Sequence, residues 1–194
     1  MTEVRFFPPP QWYNISMVKI VFESHSTTTD NEAHLSSGHN DVALSDLGEE
    51  QAKELGERYR NETFAAIFCS DLQRAYKTAE IAFADRNFPI VKDKRLRECD
   101  YGALTQHPSG EVDPLKPNHI DLPFPRGESY EDTARRMKDF LDDLQKNYED
   151  KKVMVIGHRA TQYGLEHWIK KVSLKGAVTA PWHWQPGWIY ELKQ

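Results

Sequence analysis

The sequence predicts an α/β protein in which a mainly parallel sheet lies between two layers of helices. Short apolar runs typical of buried strands alternate with segments whose apolar residues recur at helical spacing. This alternation indicates βαβ units, whose crossover connections place helices on both faces of the sheet. A chain of 194 residues is long enough for one domain with a substantial core. We therefore expect a three-layer α/β/α sandwich that forms a single domain over residues 17–194.

Residues 1–16 are predicted to form an extended arm. Pro8, Pro9 and Pro10 follow one another there, and proline disfavours both helices and central strands. Two alternatives stay open: the arm packs on the domain, or translation begins at Met17, directly before the first strand. The arm could also mediate the pairing of two copies into a homodimer.

The individual strands and helices are predicted from apolar runs and from helical periodicity. The strands are expected at residues 18–22, 65–69, 89–91, 153–156 and 188–192. A first helix is capped by Ser45 and has an apolar face of Leu47, Ala52, Leu55 and Tyr59. The next two helices are marked by Leu72, Ala75, Tyr76, Ala79 and Phe83, and by Tyr130, Ala134, Met137, Leu141, Leu144 and Tyr148. A fourth helix starts near Thr161, while residues 102–127, with five prolines, are expected to run over the surface.

Composition excludes several functional classes. The net charge of −5 argues against a general binder of nucleic acids or anionic membranes, because such proteins usually present a basic face. No stretch approaches the ~20 apolar residues of a membrane span, and the N-terminus lacks the pattern of a signal peptide. The two cysteines, Cys69 and Cys99, form no CxxC motif. We expect a cytoplasmic protein with neither nucleic-acid nor membrane partners.

Polar residues follow three of the predicted strands, in segments 23–28, 70–74 and 157–161. Ligands of such sheets bind beyond the carboxyl ends of the strands, so these segments are expected to share one site. They bring together two histidines and two arginines, His25, Arg74, His158 and Arg159. Arginine offers phosphate a planar fork of donors, and a neutral imidazole can attack phosphorus. The site is therefore predicted to bind a phosphate.

Several segments carry a family resemblance, in the right order over roughly residues 18–170. Segment 23–31 reads Glu-Ser-His-Ser-Thr-Thr-Thr-Asp-Asn, and segment 70–79 contains Ser-Asp-Leu-Gln-Arg followed by a helical pattern. Segment 95–102 contains Glu98, and a late Gly-His pair stands at residues 157–158. Together they resemble the histidine phosphatase (phosphoglycerate-mutase-like) superfamily. That resemblance implies a phosphoglycerate-mutase-like fold and catalysis through a phosphohistidine.

The resemblance also implies roles for individual residues. His25 is expected to be the nucleophile and Glu98 the proton donor to the leaving oxygen. Arg74 and His158 are expected to bind the phosphoryl oxygens, with Asn31 as a further contact. No cofactor is implied, and the other histidines show no metal-ligand spacing, so no metal site is predicted.

The chain departs from the family pattern at the first motif. The family has Arg-His-Gly there, whereas this chain has Ser24, His25 and Ser26. Losing a charged donor from a phosphate pocket can cost several kcal/mol of transition-state stabilisation, roughly a thousandfold in rate. One interpretation is a decayed active site. The other is that Arg159 restores the missing charge, with Ser24 and Ser26 as further phosphate contacts.

The C-terminal run 181–188 contains Trp182, Trp184 and Trp188. We expect these rings to cover the edge of the sheet, and the alternative is that they wall the substrate pocket.

These observations predict a metal-independent phosphatase that acts on a small phosphorylated metabolite. A phosphomutase is the first alternative, although family mutases tend to carry a longer insertion than residues 102–127. A catalytically impaired phospholigand-binding protein is the second alternative, with Ser24 as its cause.

Overall fold

A five-stranded, mostly parallel sheet forms the centre of the computed structural model, which describes residues 16–193. The strands are β1 (Met17–Ser24), β2 (Ile67–Cys69), β3 (Ile90–Lys92), β4 (Lys152–Gly157) and β5 (Trp188–Lys193). Their order across the sheet is β3-β2-β4-β1-β5. The first four are parallel, and β5 pairs antiparallel with β1. The predicted α/β class with a mainly parallel sheet is confirmed.

Helices cover both faces of this sheet. They are α1 (Thr29–Glu32), α2 (Asp46–Arg58), α3 (Gln73–Ala82), α4 (Ser109–Val112), α5 (Tyr130–Asn147), α6 (Arg159–Trp168) and α7 (Leu174–Thr179). Because side chains alternate along a strand, β1 sends Ile20 and Phe22 into a core with α5, while Val21 packs in a core with α2 and α3. The result is the expected three-layer arrangement.

Local sequence signals account for where the two long helices begin. The Ser45 hydroxyl accepts a hydrogen bond from the Gly48 amide at the start of α2, as predicted. At the start of α5 the Ser129 hydroxyl accepts a hydrogen bond from the Asp132 amide, and the Asp132 carboxylate accepts one from the Ser129 amide, which completes a capping box. One position of the predicted apolar face is wrong: Leu47 is 53% exposed, because the first turn of α2 directs it to solvent.

The segment 102–127 differs from the expected surface excursion. It contains α4 and two short 3-10 helices, and Val112 and Phe124 are fully buried. Together with residues of α5, α6 and α7 they form a further apolar core beside the sheet. The segment is therefore a packed cover over one end of the sheet.

Two other sequence predictions meet the limits of the described residues. The arm predicted over residues 1–16 lies outside them, apart from Ser16, and the homodimer remains a prediction. Among residues 16–193, no helix has both the length and the apolar character needed to cross a membrane.

Candidate active site

The loops that follow β1, β2 and β4 meet at the carboxyl edge of the sheet and line a cavity of about 690 Å³. Seven of the eight residues predicted from the sequence line this cavity: Ser24, His25, Ser26, Asn31, Arg74, Glu98 and Arg159. The eighth, His158, is buried beside His25, with their ring centroids 5.0 Å apart. The structure thus brings the whole predicted set together.

His25 is held as a neutral imidazole with a free lone pair. Its Nδ1 lies 2.7 Å from the carbonyl oxygen of Ser26, and since a carbonyl only accepts, Nδ1 carries the proton and Nε2 does not. Burial and then the nearby charge of Arg74 lower the pKa of His25 from 6.5 to about 3. At neutral pH the ring is therefore uncharged, and an attack by Nε2 would need no deprotonation.

His158 follows β4 and caps the start of α6. Only 1% of its surface is exposed, and neither ring nitrogen has a hydrogen-bond partner within residues 16–193. Burial, reinforced by the charge of Arg74, holds the pKa of His158 well below its ordinary value. An unpaired buried imidazole is costly, and an oxygen atom of a ligand bound next to His25 would satisfy it.

Arg74 is a buried cation of the site, 1% exposed in the first turn of α3. Its two terminal nitrogens donate to the carbonyl oxygens of Asn40 and Gly38, at 2.9 and 2.8 Å. Burial lowers the pKa of Arg74, but a guanidinium starts so high that the group stays charged. The two carbonyls fix the plane of the guanidinium at the cavity wall.

Glu98 reaches the cavity from the loop after β3. Its Oε1 accepts hydrogen bonds from the amides of Cys99 and Ala160, at 2.8 and 3.3 Å. Arg136 donates to the Glu98 carbonyl oxygen at 2.9 Å and so anchors the backbone. These contacts hold one carboxyl oxygen against the protein, and the residue remains part of the cavity wall.

The smaller predicted contacts are arranged by neighbouring helices. The Ser26 amide donates to Thr78 Oγ1 at 3.0 Å, and that hydroxyl donates to the Arg74 carbonyl. Asn31 uses its side-chain oxygen to accept from the Thr28 amide and hydroxyl, while its side-chain nitrogen makes no bond within residues 16–193. Asn31 therefore retains a donor at the cavity. Ser24, the last residue of β1, lines the same cavity.

Arg159 begins α6 and lines the same cavity. Its guanidinium carbon lies 5.7 Å from the ring of Trp182 and 5.9 Å from the ring of Tyr163. Its Nε is buried without a hydrogen-bond partner, and it forms no ion pair with a carboxylate among the described residues.

Sequence reasoning missed two cations in the cavity wall. Arg58 lies at the end of α2 and pairs with the buried Glu23 at 3.1 Å. Lys116 lies in the cover segment 102–127, is 6% exposed, and pairs with Asp113 at 2.6 Å. Neither belongs to a recognisable motif. Arg58 stands three residues after Leu55 in the helical pattern, which places the two on neighbouring positions of one helix face. No pattern in the sequence points to Lys116.

The tryptophans divide between the two roles considered for them. Trp188 packs on Phe22 with ring centroids 5.6 Å apart, which confirms cover of the sheet. Trp182 packs near Trp188 and also lines the cavity, and its indole N–H donates to Gln162 at 2.8 Å. For Trp184 the expected sheet cover is wrong, because it lines the cavity and is 55% exposed.

Comparison with known proteins gives relatives along most of the chain. The probable phosphoglycerate mutase GpmB of Erwinia tasmaniensis is 31% identical over 150 residues, covering 73% of this chain and 70% of that protein. The uncharacterized phosphatase PhoE of Bacillus subtilis is 31% identical over 149 residues, covering 77% and 76%. Relatives therefore carry both mutase and phosphatase names.

A solved structure and a family description also match this chain. YhfR of Bacillus stearothermophilus superposes with a TM-score of 0.77 at 26% identity, covering 89% of this chain and 90% of that one. The family description of the histidine phosphatase superfamily (branch 1) matches residues 20–184, which include every residue of the site described above. The chain belongs to the histidine phosphatase superfamily.

Proposed function

We propose that the protein hydrolyses the phosphate ester of a small metabolite through a phosphohistidine on His25, without a metal ion. The observation that carries the proposal is the pair of neutral imidazoles, His25 and His158, 5.0 Å apart at the cavity. One has an unprotonated Nε2 available for attack, and the other has unsatisfied nitrogens next to it. The nucleophile is uncharged at neutral pH, so the chemistry does not require a metal to activate it.

In the first step, Nε2 of His25 forms a bond to phosphorus as the bond from phosphorus to the leaving oxygen breaks. Glu98 acts as the acid: its carboxyl group gives a proton to that oxygen, and the alcohol leaves. Arg74 and His158 face the phosphoryl oxygens, where negative charge must be stabilised, with Asn31, Ser24 and Ser26 as additional contacts.

In the second step, water attacks the phosphorus of the phosphohistidine. Its proton passes to the Glu98 carboxylate, the bond from phosphorus to His25 breaks, and inorganic phosphate leaves. Both participants then return to their starting protonation states, so one turnover consumes one ester and one water molecule.

Two alternatives predict different products. A phosphomutase would hold the phosphohistidine until a second hydroxyl of the substrate accepts the group, and it would need a phosphorylated primer. A binding protein impaired by Ser24 would retain ligand without turnover. We favour hydrolysis over transfer because the cover segment 102–127 is short and because Trp184, in the cavity wall, is 55% exposed, so water can reach the cavity.

The test is phosphate release from a panel of sugar phosphates, phosphorylated acids and phosphorylated alcohols, in the presence of a chelator. We expect release by the wild type and none by His25→Ala, with His183→Ala, an exposed histidine, as the matched control. Product that appears only as a rearranged ester would favour the mutase. Tight ligand binding without release from either protein would favour the binding protein.

A further inference from the structure

The guanidinium of Arg136, in α5, is fully occupied by contacts around the loop that carries Glu98. Its Nη1 donates to the carbonyl oxygens of Arg95 and Arg97, at 2.7 and 2.8 Å. Its Nη2 donates to the Glu98 carbonyl oxygen at 2.9 Å and to Glu128 Oε2 at 3.0 Å, and its Nε donates to Glu128 Oε1 at 3.1 Å. A guanidinium has five N–H groups, so these bonds leave no donor for a ligand. Arg136 does not line the cavity, and its contacts are all with the protein itself.

The loop depends on these contacts because residues 97–101 form no helix or strand. Within residues 16–193, no backbone amide donates to the carbonyl oxygens of Arg95, Arg97 or Glu98. Side chains supply the donors instead, Arg136 at all three carbonyls and His39 Nε2 at Glu98, at 2.8 Å. Backbone polar groups that are shielded from water need such partners, so Arg136 determines where this stretch of backbone lies.

Glu128 fixes the orientation of the guanidinium from the opposite side. Both of its carboxylate oxygens accept from Arg136, and Oε2 also accepts from the Asp100 amide at 3.1 Å. The side chains of Arg136 and Glu128 are only 18% and 25% exposed. A two-point contact of this kind sets the plane of a guanidinium, which the single ammonium group of a lysine cannot reproduce.

The other side of the same loop meets the start of α6. The Ala160 amide donates to Glu98 Oε1 at 3.3 Å. The Thr161 hydroxyl donates to the Leu96 carbonyl oxygen at 2.8 Å and accepts from the His158 amide at 3.0 Å. Ala160 and Thr161 follow His158 directly, so the position of the loop sets how the Glu98 carboxyl lies relative to the phosphate site.

We propose that Arg136 is a positioning residue that holds the Glu98 carboxyl where it can protonate the leaving oxygen. The proposal rests on the function proposed above, in which Glu98 is the acid. A displacement of about 1 Å in a reacting group can cost on the order of a hundredfold in rate. Arg136 acts through Glu98, so its loss matters only for an ester whose leaving oxygen needs a proton.

The test is a cycle of substitutions measured by kcat, with Arg136→Met, Glu98→Gln and the two combined. The two esters are the best alkyl ester of the phosphate-release panel and 4-nitrophenyl phosphate, whose leaving oxygen needs no proton. We expect Arg136→Met to lower kcat on the alkyl ester about 10- to 100-fold, and to change its KM and the kcat on 4-nitrophenyl phosphate by less than about threefold. In Glu98→Gln the same substitution should change kcat on the alkyl ester by less than about twofold, because the acid is already missing.

Two further variants control for the stability of the fold. Arg136→Lys keeps the charge beside Glu128 with three donors instead of five, and it should regain stability in urea but only part of kcat. If Arg136→Met does not fold, the cycle is run with Arg136→Lys. Arg86→Met is the matched control, because Arg86 also holds backbone carbonyls, those of Arg60 at 2.9 Å and Glu62 at 2.7 Å, away from the cavity wall. It should leave the ratio of kcat on the two esters unchanged.

Three results would overturn the inference. An unchanged kcat on the alkyl ester would show that Glu98 needs no such support. An equal loss on both esters would show that Arg136 stabilises the site as a whole. A loss that is as large in Glu98→Gln as in the wild type would show that Arg136 acts independently of Glu98. If Glu98→Gln itself leaves kcat on the alkyl ester unchanged, the proposed acid fails and the inference with it, which distinguishes that failure from a failure of Arg136 alone.

Discussion

The neutral state of His25 predicts how the stability of the protein depends on pH. In the folded protein, burial and the charge of Arg74 lower the pKa of His25 to about 3, against 6.5 for an ordinary histidine. Below pH 6.5 the unfolded chain takes up a proton at this position that the folded protein does not. Stability is therefore lost progressively as the pH falls from about 6.5 to about 3.

The size of the effect follows from the two pKa values. At pH 5 the unfolded chain holds nearly one proton at this site and the folded protein almost none, and integration from pH 7 to pH 5 gives about 2 kcal/mol. Because the ring is only partly buried in the open cavity, we regard this as the largest expected value. If the folded pKa of His25 were one unit higher, the loss of stability between pH 7 and pH 5 would be almost the same.

The assay compares urea unfolding of the wild type and of His25→Asn at pH 7 and pH 5. We expect the wild type to lose about 2 kcal/mol more than the variant over this interval. His183→Asn, at an exposed position, controls for the removal of a histidine. An equal loss in wild type and His25→Asn would refute the reasoning, and a smaller loss in the wild type would reverse its sign.

Three other substitutions test the site. Glu98→Gln should lower kcat on a metabolite ester by about 10²- to 10⁴-fold with little change in Tm, since an amide oxygen can still accept both backbone bonds. With an ester whose leaving alcohol is acidic, such as 4-nitrophenyl phosphate, most of this loss should be recovered. An equal loss on the metabolite ester and on 4-nitrophenyl phosphate would contradict the role of Glu98 as proton donor. Arg74→Ala should abolish binding of inorganic phosphate in calorimetry, and retained affinity would remove Arg74 from the phosphate site. Glu23→Ala should destabilise the fold by roughly 1–2 kcal/mol in urea, because Tyr59 and the partly exposed Arg58 lose a hydrogen-bonded partner; a change below about 0.5 kcal/mol would show that these hydrogen bonds are not needed.

Much of the sheet and of the site could be predicted from the sequence because the signals are local. Ser45 and Ser129 cap their helices as short polar residues do, and the apolar runs locate each strand to within two residues at either end. His25, Arg74, His158 and Arg159 follow from one rule of parallel sheets, since residues after β1, β2 and β4 must share an edge, whereas Glu98 follows β3 and is indicated only by the family resemblance. That rule needs no knowledge of side-chain contacts.

The remaining features depend on contacts between distant segments. Val112 and Phe124 are buried only because the cover segment packs on α5, α6 and α7, and no periodicity in residues 102–127 signals this. Lys116 and Trp184 reach the cavity through the same kind of long-range placement. Leu47 shows the converse error, since helical spacing does not reveal that the first turn of α2 faces solvent.

The most direct test of the central claim is to look for the phosphorylated enzyme itself. The protein is mixed with a substrate found in the phosphate-release panel, quenched in alkali within milliseconds to seconds, and digested for mass spectrometry. We predict a phosphoryl group on His25 that is stable to base and lost in acid, and that is missing from His25→Asn. Phosphate release without any labelled histidine, or at an undiminished rate in His25→Asn, would contradict the phosphohistidine mechanism.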